Sequence, residues 1–267
     1  MRFSAFIFGL FCFNSVFAAP SFETKMDDVE IIMFSAGDST APYDKLIAKN
    51  DDDKKFISDQ IKNAPQNHQN ILILKSPNFV AMVDTGFENM FENIKKELAE
   101  IQLKPEDITH LIITHAHLDH IGGALNNGKM NYPNAQLYID QNDFKAWQND
   151  QVAGPVFKAY KDKIVFFKHD QNILPAQLKI KAIPAYGHTA GHNMISFENK
   201  EKRKLVFWAD LMHVYAVQNA RPEIAIVFDS NPEEAIQTRL KFLKEFKENK
   251  TEILGAHLPF GKPIVLE

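Results

Sequence analysis

Apolar positions in this chain cluster in short runs, and the runs come in two groups. Residues 29–34, 71–75, 79–83, 108–114, 136–139 and 164–167 form the first, each bounded by turn-forming residues. Residues 178–183, 193–197, 205–208, 224–228 and 252–256 repeat the pattern further on. Runs of that length predict strands buried against other elements. Between 87 and 103 the spacing changes: Phe91, Ile94, Leu98 and Ile101 fall on one face of a helix, which Pro105 stops. Residues 232–246 predict a second amphipathic helix, capped by Asn231 or Ser230, and shorter helices are expected at 121–125 and 142–149.

Residues 36–69 are polar and contain Pro42 and the run Asp51-Asp52-Asp53. The acidic run reads best as the exposed start of a helix, since carboxylates suit helix N-termini. A long insertion of this kind often borders a site. No Pro/Gly/Ser linker and no repeat divides the chain. Two groups of strands, each with helices, are best buried as two sheets packed face to face with helices outside. That is an α+β arrangement in a single domain over 19–267.

The first eighteen residues stand apart. Arg2 is followed by an apolar segment, 3–17, too short to be a good membrane span, and Val16-Phe17-Ala18 has the small-x-small form of a cleavage site. A signal peptide over 1–18 is the expectation, and with it a bacterial periplasmic or secreted location. The single cysteine, Cys12, lies inside that segment. The rest of the chain therefore has no disulfide and no thiolate nucleophile or ligand. A formal net charge of −4 gives no electrostatic case for nucleic acid or for an anionic membrane, and neither is an expected partner.

Residues 115–120 read His-Ala-His-Leu-Asp-His, directly after the apolar run Leu111-Ile112-Ile113-Thr114. Imidazole and carboxylate suit zinc and similar divalent ions, and unpaired charge beside a buried strand is expensive. A helical zinc motif places its histidines at i and i+4. Here they stand at i, i+2 and i+5, and an i, i+2 pair shares a side only on extended chain. The spacing predicts a strand-to-loop metal site. Four other strand ends carry candidate groups: Asp84, the Gly187–His192 segment with His188 and His192, Asp210, and His257.

In that order, these residues resemble the metallo-β-lactamase superfamily, and the resemblance covers nearly all of 19–267. It implies an αββα four-layer sandwich with a two-metal site at one edge of the sheets. It further implies that His115, His117 and His188 hold one metal and that Asp119, His120 and His257 hold the other. Asp210 would bridge them, while Asp84 and His192 would orient the ligands. Two such ions can share an activated water that attacks a carbonyl or phosphoryl centre, and Asp119 could pass a proton to the leaving group. Zinc is the default metal; manganese, cobalt and iron accept the same donors.

Within the superfamily, the missing cysteine and the presence of Asp210 argue against penicillin hydrolysis, and ten residues after His257 leave no room for a glyoxalase II helical region. The segment 209–218, with Phe228-Asp229-Ser230 and His257-Leu258-Pro259-Phe260, resembles the methyl parathion hydrolase group of exported dinuclear enzymes. That implies hydrolysis of lactones, N-acyl homoserine lactones foremost, or of phosphotriesters and esters, and these enzymes often dimerise. The alternatives are a thioester- or sulfur-metabolising enzyme, marked by one metal or thiol dependence, and a non-catalytic secreted metal-binding protein. His213, three residues after Asp210, occupies the place where related lactonases carry a substrate-binding Tyr; it reads as a donor or acid to the substrate, or as a packed rim residue. Phe144, Trp147, Phe157 and Tyr160 lie in the segment that walls the pocket of the resembling group; each alone reads more readily as an ordinary core aromatic, and Trp147 and Phe157 come first as pocket candidates. His68, His110 and His169 match no motif and read as structural.

Overall fold

In the computed structural model, residues 22–62, 67–258 and 261–267 are described. The expected signal peptide, Pro259 and Phe260 lie outside these residues. The first sheet runs β1 (Phe22–Met26), β2 (Val29–Ser39), β3 (Asn67–Ser76), β4 (Phe79–Val83), β5 (His110–Ile112), β6 (Gln136–Ile139) and β7 (Ile164–Phe166), side by side in chain order. Neighbours from β1 to β4 are antiparallel, and neighbours from β4 to β7 are parallel. Helix α1 (Asp51–Ile61) lies in the polar insertion between β2 and β3. Parallel neighbours need crossovers, which usually carry helices. The crossovers here carry α2 (Phe91–Glu100), α3 (Leu118–Ile121), α4 (Gln141–Trp147) and α5 (Ala153–Ala159). The second sheet contains β8 (Lys179–Pro184), β9 (Asn193–Glu198), β10 (Lys204–Phe207) and β11 (Glu252–Leu254), again in chain order. Helices α6 (Tyr215–Gln218) and α7 (Pro232–Asn249) lie between β10 and β11.

The strand pleat sorts the side chains into layers. Ile31, Met33, Leu72 and Leu74 point between the sheets and meet Ile180, Ile195, Phe197, Leu205 and Phe207. Their alternates Ile32, Phe34, Ile71 and Ile73 pack outward with Ile94 and Leu98 of α2 and Val156 of α5. On the far side, Met194, Val206 and Ile253 pack with Phe242 and Phe246 of α7. Both faces of each sheet are covered, which is why the strands read as apolar runs rather than as strict alternation. The order is helix, sheet, sheet, helix, the expected four-layer sandwich.

Several boundaries differ from the sequence reading. The expected helix at 121–125 begins at Leu118, inside the His-rich segment. The expected strand at 224–228 shrinks to Ala225–Ile226, paired with Leu46–Ile47 in a separate ribbon. Of its remaining apolar residues, Ile224 is buried, whereas Val227 and Phe228 are exposed instead of entering a sheet. Strand β1 and helix α5 were not anticipated; the polar alternation of Phe22–Met26 and the Gly154-Pro155 pair in α5 obscure both. The acidic run does open α1, where Asn50 accepts from the Asp53 amide.

Phe207 is fully buried between the sheets. Phe207→Ala is expected to cost about 3–5 kcal/mol of folding stability, read as a lowered urea midpoint with an unchanged transition slope.

Candidate metal centre

Strand β5 delivers the His-rich segment to the edge of the sandwich. His115 to His117 stay extended, then one turn of α3 begins with His117 as its cap. The extended part puts the first two histidines together, and the helical turn redirects Asp119 and His120 toward a second point. His188 arrives from the loop after β8, Asp210 from the turn after β10, and His257 from the turn after β11.

Two clusters result. His115 Nε2 lies 3.1 Å from His117 Nδ1 and 3.2 Å from His188 Nε2, and those last two atoms are 2.9 Å apart. Asp119 Oδ2 lies 3.4 Å from both His120 Nε2 and His257 Nε2. Asp210 stands between the clusters. Its Oδ1 is 3.2 Å from His120 Nε2 and 3.3 Å from His257 Nε2, while its Oδ2 is 3.5 Å from His188 Nε2. A tetrahedral zinc with bonds of about 2.0–2.1 Å requires donors separated by about 3.3 Å. Both clusters match that spacing. His120 Nε2 and Asp210 Oδ1 are moreover buried without a hydrogen-bond partner, and buried polar atoms rarely stay unpaired. The donor set fits two divalent ions.

The electrostatics agree. Burial pushes His115 and His188 well below the usual imidazole pKa and His117 to about 4, so their rings are neutral donors. Burial opposes charge on His120 and His257 as well. There, however, Asp210 and Asp119 prevail, raising His120 well above its ordinary value and His257 to about 10. Asp119 and Asp210 are held well below the carboxylate range, against burial, by those same two rings. In the metal-free protein, protons on His120 and His257 balance the carboxylates.

The orienting groups lie behind the ligands. Asp84, in left-handed backbone at φ 61°, accepts from the Thr114 amide at 2.8 Å and sits 2.8 Å from His120 Nδ1. That contact turns His120 Nε2 toward the cluster. His192 Nδ1–H donates to Ala185 O at 2.9 Å, and its Nε2 accepts from the Asp210 amide at 3.1 Å. The ring is therefore neutral, and burial lowers its pKa to about 4. His192 thus fixes the bridging residue through its backbone. Gly187 is required by its φ of +120° and by the first turn of α7, where an added Cβ would lie 2.2 Å from the Ala235 amide nitrogen.

Three residues of this scaffold were not anticipated. Asp143 of α4 accepts from the Ala116 amide at 2.8 Å, the Thr189 hydroxyl at 3.0 Å and the Gly191 amide at 2.6 Å. It ties the first histidine loop to the His188 loop, and burial raises its pKa to about 6. Asp229 lies 2.9 Å from His188 Nδ1 and so aims His188 Nε2 at the first cluster. Arg239 of α7, buried, donates to the carbonyls of Leu211, Pro222 and Ile224, pinning the segment that carries His213. Arg239 had a legible signal: it falls on the apolar face of α7 with Ala235, Phe242 and Phe246.

Above the clusters lies a cavity of about 340 Å³. Its base is His117, Asp119, Asp210, His213 and His257, and its walls include Pro42, Phe87, Leu118 and Phe228. His213 Nε2 is 3.0 Å from Asp210 Oδ2, and neither ring nitrogen has a hydrogen-bond partner among the described residues. His213 is therefore part of the site. The expected aromatic wall is corrected. Phe144 and Phe157 pack against each other with tilted rings, centroids 5.0 Å apart, within the cluster covering the first sheet, and Tyr160 is buried there too. Trp147 reaches only the back of His117, edge-on at 4.9 Å. These residues belong to α4, α5 and the turn after them, whose apolar side must cover β5 and β6. The insertion supplies the wall instead, through Thr40 and Pro42. His110 packs edge-on against Phe79 and tilted against Tyr138, and His169 lies 3.1 Å from Asp140, both away from the clusters.

A four-layer αββα sandwich with paired His/Asp clusters at the strand ends defines a metal-dependent hydrolase scaffold. Over residues 64–257 the chain matches the metallo-beta-lactamase superfamily, and it belongs to that family. An N-acyl homoserine lactonase of Bacillus cereus is 25% identical over 190 residues, 61% of this chain and 70% of that protein. Among solved structures, AidC, a dizinc quorum-quenching lactonase in complex with a product, superposes with a TM-score of 0.79 at 23% identity, covering 91% of this chain and 92% of that one. The hydrolase AbOPH of the beta lactamase superfamily gives 0.78 at 24%, covering 93% of both.

Two outcomes follow from the geometry. Zinc uptake by the metal-free protein at pH 7 is expected to release protons from His120 and His257, whose raised pKa keeps them protonated there, so affinity rises with pH. Calorimetry in buffers of different ionisation enthalpy reads the release, and a buffer-independent heat would contradict it. Asp143→Ala removes no ligand yet frees both loops, so zinc affinity should fall by about 10–100-fold in a competition titration.

Proposed function

We propose that this chain is a dinuclear metallohydrolase that opens lactones, with N-acyl homoserine lactones the leading substrates. The observation that carries this reading is the cavity. Three overlapping His/Asp groups able to hold a metal, the third being His188, Asp210 and His213, gather at its base. Its walls are largely apolar, and no Lys or Arg is among its described lining residues. An anionic group held at the walls, away from the reacting centre, would find no Lys or Arg partner there, whereas a neutral lactone needs none. The volume suits a small molecule. Neutral phosphotriesters meet the same criterion and form the natural comparison. Zinc is the proposed metal, and a signal peptide over 1–18 with export to the periplasm or beyond is part of the same proposal.

When bound, two divalent ions supply a water of lowered pKa and polarise the scissile carbonyl. The chain's residues do the rest. Phe87, Leu118 and Phe228 receive the apolar part of the substrate and exclude water. His213, at the cavity base with Nε2 3.0 Å from Asp210 Oδ2, would donate to the carbonyl oxygen. Asp119 meets His120 and His257 through Oδ2, which leaves Oδ1 to carry a proton to the departing alkoxide.

The test is to express residues 19–267, count metal per chain, and assay acyl-homoserine lactones, aryl esters and a phosphotriester side by side. Two metals per chain and lactone opening are expected. Asp210→Asn should abolish turnover. His213→Phe should lower kcat by about 10²-fold or more if His213 acts on the carbonyl. Fewer than two metals together with no lactonase or triesterase activity would sink the reading.

A further inference from the structure

His213 stands on irregular backbone between β10 and α6, and neither of its ring nitrogens has a hydrogen-bond partner among the described residues. A functional imidazole is usually aimed by a bond to its second ring nitrogen. The place of this ring depends instead on its packing and its main chain. Both peptide groups of His213 are held by buried side chains. Gln218, fully buried at the end of α6, turns back on its own helix. Its Oε1 accepts from the His213 amide at 2.8 Å and from the Val214 amide at 3.0 Å. Its Nε2 donates to Ile224 O at 3.1 Å, a carbonyl that also accepts from Arg239 Nη1 at 3.1 Å. From the opposite side, Asn67 Nδ2 of β3 donates to His213 O at 3.1 Å. Main-chain amides only donate and carbonyls only accept, so the Gln218 orientation is settled.

These bonds link helix to sheet: Arg239 of α7, the Ile224 carbonyl, Gln218, the His213 main chain, and Asn67 of β3. The ring itself is wedged among three others. His257 stacks on it with centroids 5.8 Å apart, and His188 and Phe228 flank it at 4.7 and 5.9 Å. Backbone anchorage and ring packing together keep His213 Nε2 3.0 Å from Asp210 Oδ2. Gln218 is not among the cavity's lining residues, so any effect it has on the chemistry passes through the segment it holds. We infer that Gln218, with Asn67 opposite it, is a positioning residue for the reaction, holding His213 where its ring meets the reacting carbonyl. The inference rests on the lactonase reading, in which His213 is the donor, and adds to it the side chain that places that donor. Burying an amide side chain is costly unless its groups are paired. Here the pairing satisfies two main-chain amides that no strand or helix serves.

The experiment uses the zinc-loaded protein, N-hexanoyl homoserine lactone as substrate, and a double-mutant cycle. Gln218→Met removes all three bonds at similar volume. It should lower kcat by about ten-fold or more while KM and metal content stay near their unsubstituted values. Gln218→Glu keeps an acceptor for both amides, with Arg239 close by as counter-charge, and should restore most of kcat. In the His213→Phe background, Gln218→Met should change kcat by less than about two-fold, because the residue it positions is gone. Equal losses in the two backgrounds, or no loss in the first, overturn the inference. Full activity of His213→Phe alone overturns the donor role of His213 and this inference with it, while leaving lactone opening intact. A second readout needs no turnover: the ring signals of His213 in a nitrogen-15 histidine spectrum, assigned by their absence in His213→Phe. In Gln218→Met these signals should shift or split while those of the other histidines hold. Unchanged His213 signals overturn the inference. If the unsubstituted protein binds two metals and opens no lactone, the lactonase reading falls, and this spectrum decides whether Gln218 places His213.

Discussion

Everything at this site turns on one buried carboxylate. Asp210 is 3% exposed and lies within 3.5 Å of His120, His257, His188 and His213 through its two oxygens. Burying a charge in that way is costly unless it is paired and its lone pairs are satisfied. The two oxygens face different clusters, so one residue sets the separation of both. The residue before it, Ala209, takes a left-handed φ of 49°, a conformation that non-glycine residues rarely adopt and that the surroundings must enforce. The enforcement comes from His192 on the Asp210 amide and from the β10–β11 pairing beneath.

The scaffold follows from that requirement. Strands β4, β5, β10 and β11 all end at the same edge, and each supplies a group as it ends: Asp84, the 115–120 segment, Asp210 and His257. Parallel pairing of β4 with β5 and of β10 with β11 makes this convergence automatic, because parallel strands end on one side. The loops between them are then tied to one another rather than left free. Asp143 joins the His115 and His188 loops, Asp229 joins His188 to the ribbon beside α1, and Arg239 draws the His213 segment onto α7. Loss of any tie would leave every ligand present but misdirected.

What could be read from the sequence divides along the same line. The convergence of the candidate ligands was legible because four ionisable groups within six residues, directly after an apolar run, suit little besides metal binding. The remaining ligands sit at strand ends with glycine or carboxylate punctuation. The layers were legible because apolar runs survive wherever both sheet faces are covered. The tethers were not. Asp143 looks like any acidic residue near a helix start, and only the fold reveals the three donors around it. The aromatic wall was misplaced for a related reason: Phe144 and Phe157 have the composition of a pocket, but a crossover helix must first cover its sheet. The true wall draws on Pro42 from the polar insertion and on Leu118 from inside the metal motif.

Leu118 shows how closely binding and chemistry are combined. It stands between His117 and Asp119, is 51% exposed, and walls the cavity while its neighbours form the base. The helical turn that redirects Asp119 and His120 toward the second cluster is the same turn that swings Leu118 outward. This wall residue is therefore held at a fixed offset from both clusters, with no intervening loop to relax. Phe228, also a wall residue, follows the Ala225–Ile226 ribbon, and the next residue, Asp229, lies 2.9 Å from His188 Nδ1. Both of these apolar contacts are thus one residue removed from a metal ligand or its tether. The walls of this cavity and the His/Asp groups at its base thus rest on the same few segments of backbone, so a ligand held by the walls would be held at a fixed position relative to the base.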